Sequence, residues 1–143
     1  MGATGGSQKV FVYGTLKRGF PNHHYMHGAT FLAQARTVDA YPLVVGGAWF
    51  TPYLIPEQGQ GHQVAGELWD VPEAMLPALD ELESTHLPNG YRRHLIPVLA
   101  TGAAAAQDAW TYFRERRHIA FIHTAALDDY QDRRYVAAED RDV

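Results

Sequence analysis

Apolar positions along the chain fall mostly into short extended runs broken by glycine and proline, with one stretch of helical spacing. Lys9-Val-Phe-Val-Tyr13 is a β-branched and aromatic run that stops at Gly14-Thr15, which predicts a buried strand followed by a turn. Pro21 to His27 predicts a short helical turn ended by Gly28. Thr30 to Val38 alternates through Phe31, Ala33, Ala35 and Thr37, the pattern of a strand. Tyr41-Pro-Leu-Val-Val45 and Tyr53-Leu-Ile55 are two further extended runs, separated by Gly46-Gly47 and Pro52. His62 to Trp69 alternates again. Two longer strands are expected over Tyr91 to Leu99 and Asp108 to Phe113, joined by the Ala-rich loop Thr101 to Gln107.

Between these strand regions the period changes. From Pro72 onward Met75, Leu76, Leu79 and Leu82 follow the three/four spacing of an amphipathic helix. Asp70 with Glu73 three residues on resembles a capping box at its start. Pro77 removes a backbone donor inside that helix and crowds the carbonyl of Glu73, so either a kink or a first turn before Pro77 is expected. The last thirty or so residues are charged and weakly periodic, with one short helix expected around Ala125 to Tyr135. Roughly six strands and one helix predict an α+β domain, a small, mostly β, barrel-like unit with flanking helical structure. A flexible leader over residues 1–8, a single domain over 9–135 and a charged tail over 136–143 complete the expected organisation.

Composition narrows the function. The 143 residues are 46% hydrophobic and 20% charged, enough for a real core. Twelve Lys+Arg against sixteen Asp+Glu leave a formal charge of −4, which argues against a nucleic-acid partner. The absence of Cys excludes thiolate zinc sites, iron–sulfur clusters and a Cys nucleophile, and fits a reducing cytoplasm. No run approaches the roughly 18 apolar residues of a membrane span, and the N-terminal segment lacks a secretory pattern. A cytoplasmic protein that contacts neither membrane nor nucleic acid is the expectation.

Three clusters could carry chemistry. Tyr13-Gly14-Thr15-Leu16-Lys17-Arg18-Gly19 follows the first strand directly. A strand that breaks on glycine can turn successive N–H groups outward into a nest for carboxylates or oxyanions, or it can be an ordinary turn. In either reading Lys17 and Arg18 are expected in solvent. Asp80 and Glu83 share one face at the end of the predicted helix, held near the core by Leu79 and Leu82. The pair is either a solvated acidic helix end or a carboxylate drawn into apolar surroundings, where a raised pKa makes it an acid/base. An acidic last turn opposes the helix dipole, which hints at a purpose other than stability. His23 and His27 have the i,i+4 spacing of a helical metal pair but lack a third ligand, so no metal is expected.

Val10-Phe-Val-Tyr-Gly-Thr-Leu-Lys-Arg-Gly19, followed by Pro21-Asn22-His23, resembles the opening of the gamma-glutamylcyclotransferase-like superfamily, and most closely its gamma-glutamylamine cyclotransferases. The similarity continues through Tyr41-Pro-Leu-Val-Val45, Val64-Ala-Gly-Glu-Leu-Trp69, Leu79-Asp-Glu-Leu-Glu-Ser84, Tyr91-Arg92-Arg93 and Trp110-Thr-Tyr112. It covers about residues 9 to 115; the tail after Glu115 resembles the family poorly, and Pro77 departs from an ordinary helix former. The resemblance implies a small mixed β-barrel with flanking helices around a cavity. It implies that Tyr13, Gly14, Thr15 and Leu16 bind the glutamyl moiety and that Glu83 is the acid/base, with Asp80, Tyr91 and Tyr112 in support. The implied substrate is a small γ-glutamyl compound whose α-amine attacks its own γ-carbonyl, releasing 5-oxoproline and an amine without metal or cofactor. A cyclotransferase for γ-glutamyl amino acids or a biosynthetic γ-glutamyl intermediate, and a non-catalytic binding module, are the alternatives. The leaving amine and the oligomeric state are not legible in the sequence.

Overall fold

The computed structural model describes residues 6–83, 85, 87–88 and 90–141. Among the described residues seven strands form: β1 (Ser7–Val12), β2 (Thr30–Thr37), β3 (Leu43–Gly46), β4 (Thr51–Leu54), β5 (Ala65–Pro72), β6 (Arg92–Ala100) and β7 (Gln107–Phe113). Five of them close a barrel in the order β1-β5-β2-β6-β7, and β3-β4 make a separate hairpin. All barrel pairings are antiparallel except β1 with β7, which meet in parallel at Val10 and Trp110. That parallel closure brings the C-terminal ends of β1 and β7 to the same rim.

Alternation explains the two cores. Phe11, Leu68, Ala35, Val98 and Ala109, drawn from all five strands, cluster together and fill the barrel. The intervening residues Val10, Val12, Val71 and Tyr112 cluster instead with Leu76 and Leu79, on the outer face of the sheet. β1 is therefore covered on both faces, which is why it reads as a continuous apolar run. The Phe11 ring packs directly over Gly66, where a Cβ would stand only 2.6 Å from the ring.

The helical segment follows the second of the two expectations for Pro77. Glu73–Met75 form a 3₁₀ turn, and the helix α1 (Leu76–Leu82) starts with Pro77 in its first turn, where the missing donor costs nothing. The capping box does not form. β5 runs on to Pro72, Asp70 pairs within the sheet, and the Glu73 carboxylate accepts instead from Gln8 Nε2 at 2.9 Å. Ser7 and Gln8, read as part of the leader, are the first residues of β1.

The expected helix over Ala125 to Tyr135 is absent. That segment is an irregular strap tied across the β3-β4 hairpin: His123 N–H donates to Val45 O (2.8 Å), Leu127 N–H to Leu43 O (2.7 Å) and Val136 N–H to Trp49 O (3.0 Å). Tyr130, fully buried, anchors it against Phe20. The weak periodicity is that of a chain that buries single residues in a groove made by others. Lys17 is also displaced from its expected place in solvent. It is 5% exposed, and its Nζ lies 3.0 Å from Asp129 Oδ1 and 2.9 Å from Tyr130 O, beneath the strap. Arg18 is half-exposed and pairs with Glu67 at 3.2 Å. Because removal of Lys17 leaves the Tyr130 carbonyl and half an ion pair without a partner, Lys17→Ala is expected to lower stability by about 2–4 kcal/mol. Chemical denaturation, monitored by near-UV circular dichroism, checks this.

Candidate active site

At the rim where β1 and β7 end, a cavity of about 320 Å³ opens. This is the lower end of the range for small-molecule sites, about 300–1,000 Å³. The chain after β1 supplies Tyr13, Gly14, Thr15 and Leu16; the end of α1 supplies Glu83; Tyr91 immediately precedes β6 and Tyr112 lies on β7. The structure thus gathers in one cavity seven of the eight site residues that the family resemblance implies, all but Asp80.

The Tyr13–Leu16 turn carries free donors. Lys17 N–H closes the turn on Gly14 O at 3.1 Å, and Asn22 N–H donates to Thr15 O at 2.9 Å. The N–H groups of Gly14, Thr15 and Leu16 themselves find no acceptor among the described residues. Successive unspent donors at a cavity wall form a concavity suited to an anion. Gly14 does not adopt a left-handed conformation; the requirement for glycine is contact, since a Cβ there would lie 2.6 Å from Pro52 Cγ on the opposite wall. Thr15 Oγ1 accepts from Asn22 Nδ2 at 3.0 Å, and the same amide lies 3.0 Å from Tyr135 Oη.

Glu83 stands where α1 ends. Its N–H donates to Leu79 O at 3.0 Å, and its carbonyl accepts from Tyr91 N–H at 3.1 Å, which fixes the backbone on both sides. The side chain keeps some accessible surface because it lines the cavity. Protein encloses it closely, and burial pushes its carboxyl up to about 7. No described cation pairs with it. A carboxyl poised near neutrality can both accept and return a proton.

Three tyrosines around Glu83 are each locked by their hydroxyls. Tyr13 donates to Tyr112 O (2.7 Å), Tyr91 to Pro52 O (2.8 Å) and Tyr112 to Asp80 Oδ1 (2.8 Å). Burial, and then the neighbouring acids, hold all three phenols protonated well above their ordinary range. They are hydrogen-bond donors and walls, not bases. Asp80 does not line the cavity; it bonds Tyr112 and pairs with Arg93 at 3.0 Å. Asp80→Asn, which keeps an acceptor for Tyr112 but gives up the ion pair, is expected to cut kcat/KM by roughly fivefold, about 1 kcal/mol. Steady-state kinetics beside Tyr112→Phe checks that route.

His23 and His27 do not form a metal pair. They fall in and just after a four-residue 3₁₀ turn, His23–Met26, where residues four apart point about 120° from each other. His23 Nδ1 lies 3.0 Å from Leu16 O, so the ring braces the cavity turn.

Residues 10–137 match the family described as gamma-glutamyl cyclotransferase, AIG2-like. The chain belongs to this family. Among relatives, the Bos taurus gamma-glutamylaminecyclotransferase is 40% identical over 126 residues, covering 85% of this chain and 74% of that one. The Rattus norvegicus protein of the same name is 47% identical over 94 residues, 62% of each chain. The crystal structure of an AIG2-like protein from Mus musculus superposes with a TM-score of 0.80 at 31% identity, covering 95% of this chain and 99% of that one. The family match takes in the strap, which carries little of the motif resemblance.

Within this family member the residues that sequence reasoning missed come mainly from three places. Trp49 and Tyr53 belong to the β3-β4 hairpin, Arg114 follows β7, and Tyr135 and Arg141 come from the end of the strap and the chain beyond it. Arg114 had one usable signal, its place one residue beyond the strand expected over Asp108 to Phe113. The others had none.

Proposed function

We propose that the chain is a gamma-glutamylamine cyclotransferase, as its relatives are named, with Glu83 as the acid/base and the Gly14–Leu16 turn as the anion site. The observation that carries this reading is a carboxyl raised to about 7 in the same cavity as three unspent backbone donors. A γ-glutamyl compound contains its own nucleophile, so the site has only to fold it and move protons. Good orientation of an intramolecular attack is worth about 7–11 kcal/mol.

Glu83 takes a proton from the α-ammonium, whose ordinary pKa is about 8. A carboxyl at its ordinary value of about 4.3 would be nearly 4 units too weak a base, a cost of roughly 5 kcal/mol. With Glu83 near 7 the gap shrinks to about one unit, roughly 1.4 kcal/mol. The freed amine attacks the γ-carbonyl carbon, the ring nitrogen–carbon bond forms, and the carbonyl electron pair moves to oxygen beside the backbone N–H groups. As the pair returns, the bond to the leaving nitrogen breaks. Both protons lost by the α-nitrogen end on the departing amine, so 5-oxoproline and an ammonium ion leave and Glu83 finishes as it began.

A panel of ε-(γ-glutamyl)lysine, simple γ-glutamyl alkylamines and γ-glutamyl amino acids tests the reading, with 5-oxoproline measured by mass spectrometry. Turnover of the first two groups is expected. Preference for the amino acids would replace the amine assignment, and silence across the panel would leave a binding module. kcat/KM is expected to rise with pH as Glu83 ionises, through one group with a midpoint near 7. A flat profile between pH 6 and 8 contradicts Glu83 as base.

A further inference from the structure

Among the described residues, Arg114 is the one cavity-lining residue with a buried side-chain polar atom that has no hydrogen-bond partner. Its backbone N–H donates to Leu54 O at 2.9 Å, which fixes its origin at the rim beside the hairpin. Its Nη2 donates to His118 O at 2.9 Å, so one arm of the guanidinium is held by protein. Its Nε is buried and has no acceptor among the described residues. The guanidinium centre lies 5.4 Å from the Tyr53 ring and 5.8 Å from the Tyr91 ring, over two stacked aromatics that also line the cavity. No described carboxylate pairs with it, although Glu83 lines the same cavity.

A buried guanidinium N–H without an acceptor is costly, and its planar fork is matched to a carboxylate. The site already has backbone donors for one anion, at the Gly14–Leu16 turn. A γ-glutamyl amine presents up to three negative centres: its α-carboxylate, the oxyanion that develops at the γ-carbon, and, when the amine is an amino acid side chain, a second carboxylate.

We propose that Arg114 is a specificity-determining residue that receives a substrate carboxylate on the hairpin side of the cavity, over the Tyr53 and Tyr91 rings. This rests on the cyclotransferase reading above. Two sources share that chemistry, the glutamyl α-carboxylate and the carboxylate of the leaving amine. The tyrosine faces beneath the guanidinium suit the methylenes that separate either one from the scissile amide.

The test compares wild type, Arg114→Gln and Arg114→Lys on three substrates: ε-(γ-glutamyl)lysine, γ-glutamyl-n-butylamine, and the α-carboxamide of the first. Thermal melts establish that each variant is folded, and Arg114→Lys, which keeps the charge without the fork, serves if the Gln variant is not. The expected result on ε-(γ-glutamyl)lysine is a rise in KM of about 10- to 100-fold with a smaller change in kcat. That penalty is expected to fall at least tenfold on whichever substrate lacks the carboxylate concerned. Loss of the penalty on the butylamine assigns the leaving group; loss on the carboxamide assigns the α-carboxylate. Calorimetric titration with 5-oxoproline, which carries only the α-carboxylate, is a second readout that needs no turnover. Weaker binding to Arg114→Gln is expected if the α-carboxylate is the ligand, and unchanged binding if it is the other. The same penalty on all three substrates overturns the proposal and leaves Arg114 a structural brace. Wild-type inactivity on the whole set would instead defeat the reading beneath it.

Discussion

Glu83→Gln is expected to lower turnover by about 10²–10⁴-fold, the usual worth of a positioned acid/base, while making the protein harder to unfold at pH 8. The two effects share one cause. Burial raises the Glu83 carboxyl from 4.5 to about 7 in the folded protein, so the fold binds a proton that the unfolded chain releases. Where the folded state holds more protons, stability falls as pH rises. The loss begins near the unfolded value, is complete above about 7, and amounts to roughly 3–4 kcal/mol. Below pH 4 both states are protonated and the carboxyl costs nothing. The amide cannot ionise, so the variant is expected to gain its stability at pH 8 and show none of it at pH 4. Urea denaturation at the two pH values, beside kinetics, checks both halves. A variant that is inactive and equally destabilised at both pH values would mean that Glu83 serves packing.

The second large effect is expected at Gly14. A β-carbon there meets Pro52 Cγ at 2.6 Å and Pro52 Cβ at 3.2 Å. The proline ring is stiff, and its carbonyl accepts the Tyr91 hydroxyl at 2.8 Å, so a displaced Pro52 carries Tyr91 with it. Gly14→Val therefore pushes apart two walls of the cavity and swings the unspent N–H groups away from the substrate. Activity is expected to vanish, and overpacking to cost about 1–3 kcal/mol of stability. Thr15→Ala leaves the backbone in place and removes one acceptor from Asn22, a change of about 0.5–1.5 kcal/mol. A ranking of kcat/KM with Gly14→Val far below Thr15→Ala supports the backbone site. Equal losses would shift the anion to side chains.

The legible parts of the molecule are those whose signal is local. Lys9–Tyr13 announces β1 because its apolar residues are consecutive, and Gly14 follows as glycine because the Pro52 wall leaves no room for a β-carbon. Glu83 is legible because a period of three to four carries it to the core edge beside Leu79 and Leu82. The start of that helix is misread, since the Asp70–Glu73 spacing of a capping box occurs inside and just after a strand. Lys17 shows the limit more sharply. Nothing in Leu16-Lys17-Arg18 says that one cation is buried and its neighbour exposed, because the difference lies in Asp129 and Tyr130, over a hundred residues away. The strap has no period to detect, and with it went Tyr135 and Arg141, both of which line the cavity.

The account stands on the substrate supplying its own nucleophile, and incubation in ¹⁸O-labelled water tests that most directly. Wild-type protein with ε-(γ-glutamyl)lysine is expected to release 5-oxoproline and lysine in equal amounts, with no label in either, because no water enters the reaction. Glutamate bearing ¹⁸O as the first product would make the protein a hydrolase and contradict the assignment of Glu83 to ring closure.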